Sequence, residues 1–304
     1  AWEAAWYKAH HPLQFWTAAL NNNLGMYPQW VYVEAAKWSG IRLLPPCVNR
    51  SALECCIEGN AIRVGLGSIR GVPRTALLQL LQERQRRGSF TDIRDLCRRV
   101  ALGPEALARL IQAGACDFMQ LPREEIFLEL ALQQRGADDI ALFRGHVHPA
   151  VPHLLPRAYL RLPQQRQKLV TALCQWETLG MVLALPLMAL FRPLVPAGVA
   201  DSRALTQPPG TTLTLAGLVA ATRIAPTSQG KTMQFLTLAD EWGLVEVTLF
   251  PDVSPLIPNP VLGPYLVTGR IEDHLGARTL TATQSPTLLT TSHPDTHAPE
   301  HANP

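Results

Sequence analysis

The run Ile69-Arg70-Gly71-Val72-Pro73-Arg74-Thr75-Ala76 joins a tight, glycine-containing turn to a segment rich in helix formers. A turn that feeds directly into a helix aims backbone N–H groups at an anion, and the positive end of the helix adds to the attraction. Arg70 and Arg74 flank the point where a phosphate would sit. Arg70, Gly71, Val72, Arg74 and Thr75 are therefore the candidate DNA-contacting residues, in the sequence-independent manner of a helix-hairpin-helix. Pro73 occupies the third hairpin position and removes one N–H donor. The alternative is a turn that does no more than pack the helix after it. A second, degenerate hairpin is expected at Leu102-Gly103-Pro104, with its helix running to Ala113-Gly114-Ala115.

Charge distribution favours the same stretch. Between Asn60 and Arg109 there are ten arginines (63, 70, 74, 84, 86, 87, 94, 98, 99 and 109) against four acids, a net +6 in a chain whose total is +3. A local basic block is the electrostatic footprint of a phosphate-backbone binder, although a solvated helical surface has the same composition.

Three further groups could carry chemistry. Asp139-Ile140-Ala141-Leu142-Phe143 is a short apolar anchor between a helix and a proline-rich stretch. Such a segment can insert into a groove on a partner, or simply staple a helix end. Arg223, Lys231, Phe235 and Arg270 lie in a strand-rich region and could stack and neutralise a single strand. That region, 211–287, holds four basic and six acidic residues, which suits a structural or protein-binding role equally. His146, His148 and His153 have no Cys or carboxylate at ligand spacing, so no metal site is expected. The chain shows no Gly-rich phosphate loop, no nucleophile elbow and no aspartate pair suited to two-metal catalysis.

The elements that must position these groups read as follows. Residues 1–57 are mostly helical, with breaks at His11-Pro12, Asn21-Asn22-Asn23 and Ser39-Gly40, and a short strand over Ile41–Leu44. Residues 58–118 open with a strand-like run from Ala61. Helices follow from Arg74 to about Arg86, from a cap at Thr91 or Asp92 to Val100, and from Pro104, with Gly114 as C-cap. Residues 119–210 are a helical and proline-rich connector, nine prolines falling between Arg144 and Thr212, with one helix at about Pro163–Met181. Residues 211–287 contain five short alternating strands and suit a small five-stranded Greek-key barrel of the OB type. Residues 288–304 are polar and read as a disordered tail. The fold class is thus multidomain α + β.

At 304 residues and 47% hydrophobic content, the chain can bury a core. No apolar run is long enough for a membrane span, and no signal peptide is evident, so a cytoplasmic location is expected. The six cysteines form no C-x-x-C pair and read as reduced thiols, mostly core fillers. The first residue is Ala1 and not Met, consistent with processing or with a fragment of a longer chain.

Several segments, in order, resemble bacterial C-family DNA polymerases. Ala5-Trp6-Tyr7-Lys8-Ala9-His10-His11-Pro12-Leu13-Gln14-Phe15 resembles their A-Y-L-K-A-H-Y-P-x-x-F. Leu43-Leu44-Pro45-Pro46-Cys47-Val48-Asn49-Arg50-Ser51 resembles L-P-P-D-V-N-x-S, with Cys47 for Asp. Residues 62–72 are similar to I-R-x-G-L-x-x-I-K-G-V-G, and Leu110–Asp117 to L-I-x-A-G-A-F-D. Glu177-Thr178-Leu179-Gly180 matches E-x-L-G, though Ala184-Leu185-Pro186-Leu187 lacks the His of the family's S-G-H-P-L. Residues 230–250 resemble the family's OB domain. Cys55-Cys56-Ile57-Glu58 and Pro186–Leu190 lean toward the error-prone branch.

The resemblance is to the C-terminal region of the DNA polymerase III alpha subunit. It implies the end of the fingers (1–57), a tandem helix-hairpin-helix gripping duplex primer-template DNA (58–118), a connector carrying the sliding-clamp motif at Asp139–Phe143 (119–210), and an OB domain (211–287) meeting single-stranded template or other holoenzyme subunits. Asp139 stands where the family has Gln. The metal-binding aspartates of the palm, with their Mg2+, would lie upstream. The resemblance therefore implies no cofactor here and no polymerisation by this chain alone. Two other classes stay open: a stand-alone nucleic-acid-binding or protein-interaction remnant, and a nuclease using the histidines, which would need a metal.

Overall fold

The computed structural model describes residues 2–22, 25–123, 125–127, 130, 164–227, 230–253, 255–257 and 260–290. The chain divides into two units, 1–190 and 191–304. Together they make an α + β chain, as expected.

In the first unit, helices α1 (Trp2–His10), α2 (Pro12–Asn21) and α3 (Gln29–Trp38) precede a small sheet. Pro12 starts α2 because its missing N–H is one that a first helical turn leaves unpaired anyway. The sheet has β3 (Ala61–Arg63) at its centre, parallel to β1 (Arg42–Leu44) and antiparallel to β2 (Cys56–Glu58). All three residues of β3 are buried. Strand β2, invisible to the sequence reading, forms because Cys56–Glu58 pairs with the strand that follows a two-residue turn.

Helices α4 (Arg74–Arg87), α5 (Ile93–Arg99) and α6 (Pro104–Gln112) follow. Their ends are set by local chemistry. Asp92 caps α5, accepting a hydrogen bond of 2.7 Å from the backbone N–H of Asp95. At the end of α6, Gly114 takes a left-handed φ of 86°. Its N–H reaches Ile111 O, and that of Ala115 reaches Leu110 O, the two bonds of a Schellman motif. Leu77, Leu80, Ile93, Leu96, Leu107, Leu110 and Ile111 face inward. Burying each such side chain contributes about 1.5–3 kcal/mol. Helix α7 (Gln164–Leu179) lies within the span expected for it.

The segment after α7 is tied to α3 by a buried charge. Lys37 Nζ donates to Glu34 Oε1 at 2.8 Å, to Val182 O at 2.6 Å and to Leu185 O at 2.9 Å. Burial pushes the Lys37 ammonium below its ordinary pKa, against the pull of Glu34. Glu34, only 2% exposed, also accepts the Leu187 N–H. Of the six cysteines, Cys47, Cys55, Cys116 and Cys174 are buried, Cys56 and Cys97 are half-buried, and all are free. Burial pushes the Cys116 thiol far up, which keeps it protonated and inert.

The second unit is a mixed sheet of β4 (Thr212–Pro226), β5 (Thr232–Ala239), β6 (Leu244–Leu249), β7 (Tyr265–His274), β8 (Ala277–Ala282) and β9 (Thr287–Leu288). Five strands were expected; the sixth, β9, is a two-residue strand on β7. Strand β4 runs on to Pro226, past the alternating stretch, because from Leu218 it takes β5 as its partner, with a bulge between Val219 and Ala221 inside that pairing. Its first half pairs with β7 and its second with β5. Antiparallel pairs β5–β6 and β7–β8 and the parallel pair β6–β8 complete the ladder, so the pairings β4–β5–β6–β8–β7 return to β4. Leu215, Leu236, Leu238, Val247, Val267, Ile271 and Leu280 form the core. The expected turn at Asp240–Gly243 is closed by Asp240 Oδ1, which accepts from the N–H groups of Trp242 and Gly243.

Candidate nucleic-acid interface

The first hairpin is built between two buried anchors. A 3-10 turn at Leu66–Ser68 and the buried Ile69 hold its start, while Leu77 and Leu80 hold α4 after it. Gly71 takes φ 81°, a turn conformation that L side chains rarely adopt. Pro73 is the N-cap of α4, with extended backbone. Arg70, Gly71, Arg74 and Thr75 are exposed and Val72 is half-buried. The structure thus brings these five candidates together at the positive end of a fourteen-residue helix.

One donor in that set is already engaged. The Arg70 N–H donates to Thr178 O at 2.8 Å. The Arg70 guanidinium lies over Gly180, in the space that a Cβ there would take. Arg109, from α6, lies beside the same turn. A Cβ on Gly71 would lie 3.4 Å from Arg109 Cγ, and Arg109 Nη1 reaches Glu177 Oε1 at 3.1 Å. In the sequence, Arg109 stands in the basic block and Glu177–Gly180 in a separate motif; nothing local links either to the hairpin, because the positions lie so far apart.

The basic block divides into two populations. Arg63 is buried and makes a two-point pair with Glu58, which holds that carboxyl below its usual range and raises the guanidinium. Arg84 donates to Val48 O and Ser51 O. Arg99 donates to Glu83 O and Gly88 O, pairs with Asp95, and stacks on Phe90. These three hold the fold. Arg70, Arg74, Arg86, Arg87, Arg94 and Arg98 are exposed. Arg86 and Arg87 lie 3.8 and 3.5 Å from Glu83, long contacts from exposed guanidinium groups to a largely covered carboxylate.

The second hairpin has Gly103 as N-cap of α6 and Pro104 as its first residue. Val48 N donates to Ala115 O, fastening the end of this hairpin's helix to the segment after β1.

In the second unit, Arg223 and Phe235 are direct cross-strand partners, and the Arg223 guanidinium sits 4.7 Å from the Phe235 ring centroid. Lys231 is paired with Asp252, both exposed. Arg270 is exposed on β7. The Asp139–Phe143 segment and His146, His148 and His153 lie outside the described residues. Among the described residues, no group of three or more His, Cys, Asp or Glu could hold a metal ion, and no helix is long and apolar enough to cross a membrane.

Residues 40–126 match the family model described as a helix-hairpin-helix motif, which spans both hairpins. In an alignment 291 positions long that covers 88% of the chain, the sequence is 32% identical to an error-prone DNA polymerase of Anaeromyxobacter dehalogenans (strain 2CP-C). It is 30% identical over 279 residues to DNA polymerase III subunit alpha of Bacillus subtilis (strain 168). The chain is a homologue of these polymerases. It spans 24% of the length of each. An error-prone DNA polymerase of Mycobacterium tuberculosis (strain ATCC 25618 / H37Rv) is 28% identical over 92% of the chain and 25% of its own length. Among solved structures, asparaginyl-tRNA synthetase from Pyrococcus horikoshii covers 36% of this chain and 26% of its own at 16% identity and a TM-score of 0.25, too slight a likeness to bear on the fold. The error-prone and alpha-subunit homologues agree with the polymerase resemblance read from the sequence motifs, and both hairpins fall inside the matched span.

Proposed function

We propose that this chain is the DNA-gripping portion of a polymerase of the DNA polymerase III alpha type, serving DNA-directed DNA synthesis in replication or error-prone repair in the cytoplasm. The observation that carries the proposal is the cluster Arg70, Gly71, Val72, Arg74 and Thr75, all but the half-buried Val72 exposed, at the start of α4 inside the stretch that matches the helix-hairpin-helix model. Residues 1–57 are read as the end of the fingers and 58–118 as the tandem hairpin domain that holds duplex primer-template DNA by its phosphates. Residues 119–210 are read as a connector whose Asp139–Phe143 segment meets a sliding clamp, a role supported by the polymerase resemblance.

Residues 211–287 are read as an OB-type barrel. The pairing circuit β4–β5–β6–β8–β7–β4 and the parallel β6–β8 step support this. Arg223 stacked on Phe235, with Lys231 nearby in sequence, is the surface proposed for single-stranded template. The excess of acids in 211–287, with Lys231 neutralised by Asp252, favours a second reading for this unit alone: docking of other polymerase subunits.

The test is fluorescence anisotropy of the chain with primer-template DNA across a salt series. Each neutralised phosphate contributes about 0.9 to the slope of log K against log salt. Steep salt dependence, abolished by Arg70→Glu with Arg74→Glu, is the expected result. Absence of binding at low salt overturns the reading.

A further inference from the structure

The hairpin at Gly71 is held by more than its own residues. Three groups from distant parts of the chain converge on it. Thr178 O, in the last turn of α7, takes the Arg70 N–H at 2.8 Å. Gly180 leaves room for the Arg70 guanidinium, and its φ of 68° turns the chain out of α7 at that point. Arg109 comes from the helix of the second hairpin and lays its stem against Gly71, with Cγ, Nε and Cδ at 3.4, 3.6 and 3.9 Å from where a Cβ would be. Glu177 Oε1 accepts from Arg109 Nη1 at 3.1 Å.

We infer that Arg109 is a further phosphate-contacting cation of the first hairpin, and that Glu177 is the positioning residue that holds it beside Gly71. This rests on the proposed DNA-binding reading. A guanidinium carries five N–H donors in a planar fork, and one of them reaches Glu177 Oε1. The rest of the fork is able to take a phosphate oxygen, and the side chain is 30% exposed where it lies. Arg109 belongs to α6, and Gly71 to the turn before α4. The two hairpins therefore share one anion site. Glu177, 49% exposed, fixes the direction of the fork while remaining in solvent itself. A short ion pair on the surface contributes little to folding, so its expected consequence is orientation of the fork.

The experiment is anisotropy of the full 304-residue chain with a fluorescent primer-template duplex at several salt concentrations. Arg109→Ala is expected to reduce the magnitude of the salt slope by about 0.9 and to weaken binding several-fold. Arg109→Lys restores the slope and only part of the affinity, since a point charge replaces a fork. Glu177→Gln keeps an acceptor at the same place and removes an anion facing the phosphate, so it binds at least as tightly as the parent with an unchanged slope. Glu177→Ala releases the fork and weakens binding. A slope unchanged in Arg109→Ala, where Arg74→Ala lowers it, overturns the inference and leaves the DNA-binding reading intact. Glu177→Ala binding as tightly as Glu177→Gln overturns the positioning role. A parent chain that binds no duplex at low salt overturns both readings together.

Discussion

The guanidinium carbon of Arg99 lies 4.2 Å from the ring centroid of Phe90, and the same group donates to the carbonyls of Glu83 and Gly88. Its neighbour Arg98 is 70% exposed, against 6% for Arg99. Adjacent arginines therefore do different work. Arg99→Ala strips the carbonyls of Glu83, Gly88 and Ser89 of a donor and Asp95 of its short ion pair, and is expected to destabilise the first unit by about 2–4 kcal/mol. Arg98→Ala is expected to change stability by less than about 0.5 kcal/mol and to lower only the salt sensitivity of DNA binding. Urea unfolding beside anisotropy separates the two effects.

Asp92 gives a pH dependence with a defined sign. The Asp95 N–H bonded to its carboxylate holds Asp92 below its usual pKa. The folded state therefore favours the ionised form. Its stabilising contribution is complete above the ordinary carboxylate value and is lost as pH falls through the lower, folded value. Asp92→Ala should cost about 1 kcal/mol near neutrality, and Asp92→Asn much less, because the amide oxygen still caps. The Asn variant should lose less stability on acidification than the parent, which melting temperatures at pH 7 and pH 3 would show.

Lys37→Met is expected to be the most damaging single change in α3. It leaves the Glu34 carboxylate buried without its cation and two carbonyls without a donor. Removing one partner of a buried pair costs about 3–5 kcal/mol. A double change, Lys37→Met with Glu34→Leu, should recover part of the loss, and a double-mutant cycle in urea reads the coupling.

Phe235→Ala tests the second unit. If bases stack on the Arg223–Phe235 pair, the variant loses about 1–3 kcal/mol of single-strand affinity, measurable with a labelled oligothymidylate. Unchanged affinity, with the sheet still folded by circular dichroism, would favour the subunit-docking reading of this unit.

Much of the framework was legible because its determinants are local. Pro12, Pro104, Asp92 and Gly114 mark helix ends through groups within one turn, and Asp240–Gly243 closes its own turn. The strand alternation of 211–287 likewise needs only neighbouring residues, and the first hairpin was visible as a string of eight. What could not be read depends on partners far along the chain. Arg63, Arg84 and Arg99 look like any other members of a basic block until their acceptors are placed beside them. The Arg70 amide looks free until Thr178 arrives. Strand β4 looks shorter than it is because the bulge after Val219 breaks the period-two pattern on which the reading relied.

The bonds from Lys37 to Val182 O and Leu185 O join residues 145 and 148 positions apart. During synthesis at about 5–20 residues per second, roughly 7–30 s separate the emergence of the lysine from that of its acceptors. Until then Lys37 and Glu34 have each other on α3, and lack their partners at Val182, Leu185 and Leu187. The two bonds that fasten α3 to the residues after α7 therefore form only once those residues have left the exit tunnel, so that translation itself sets the moment at which this tie closes.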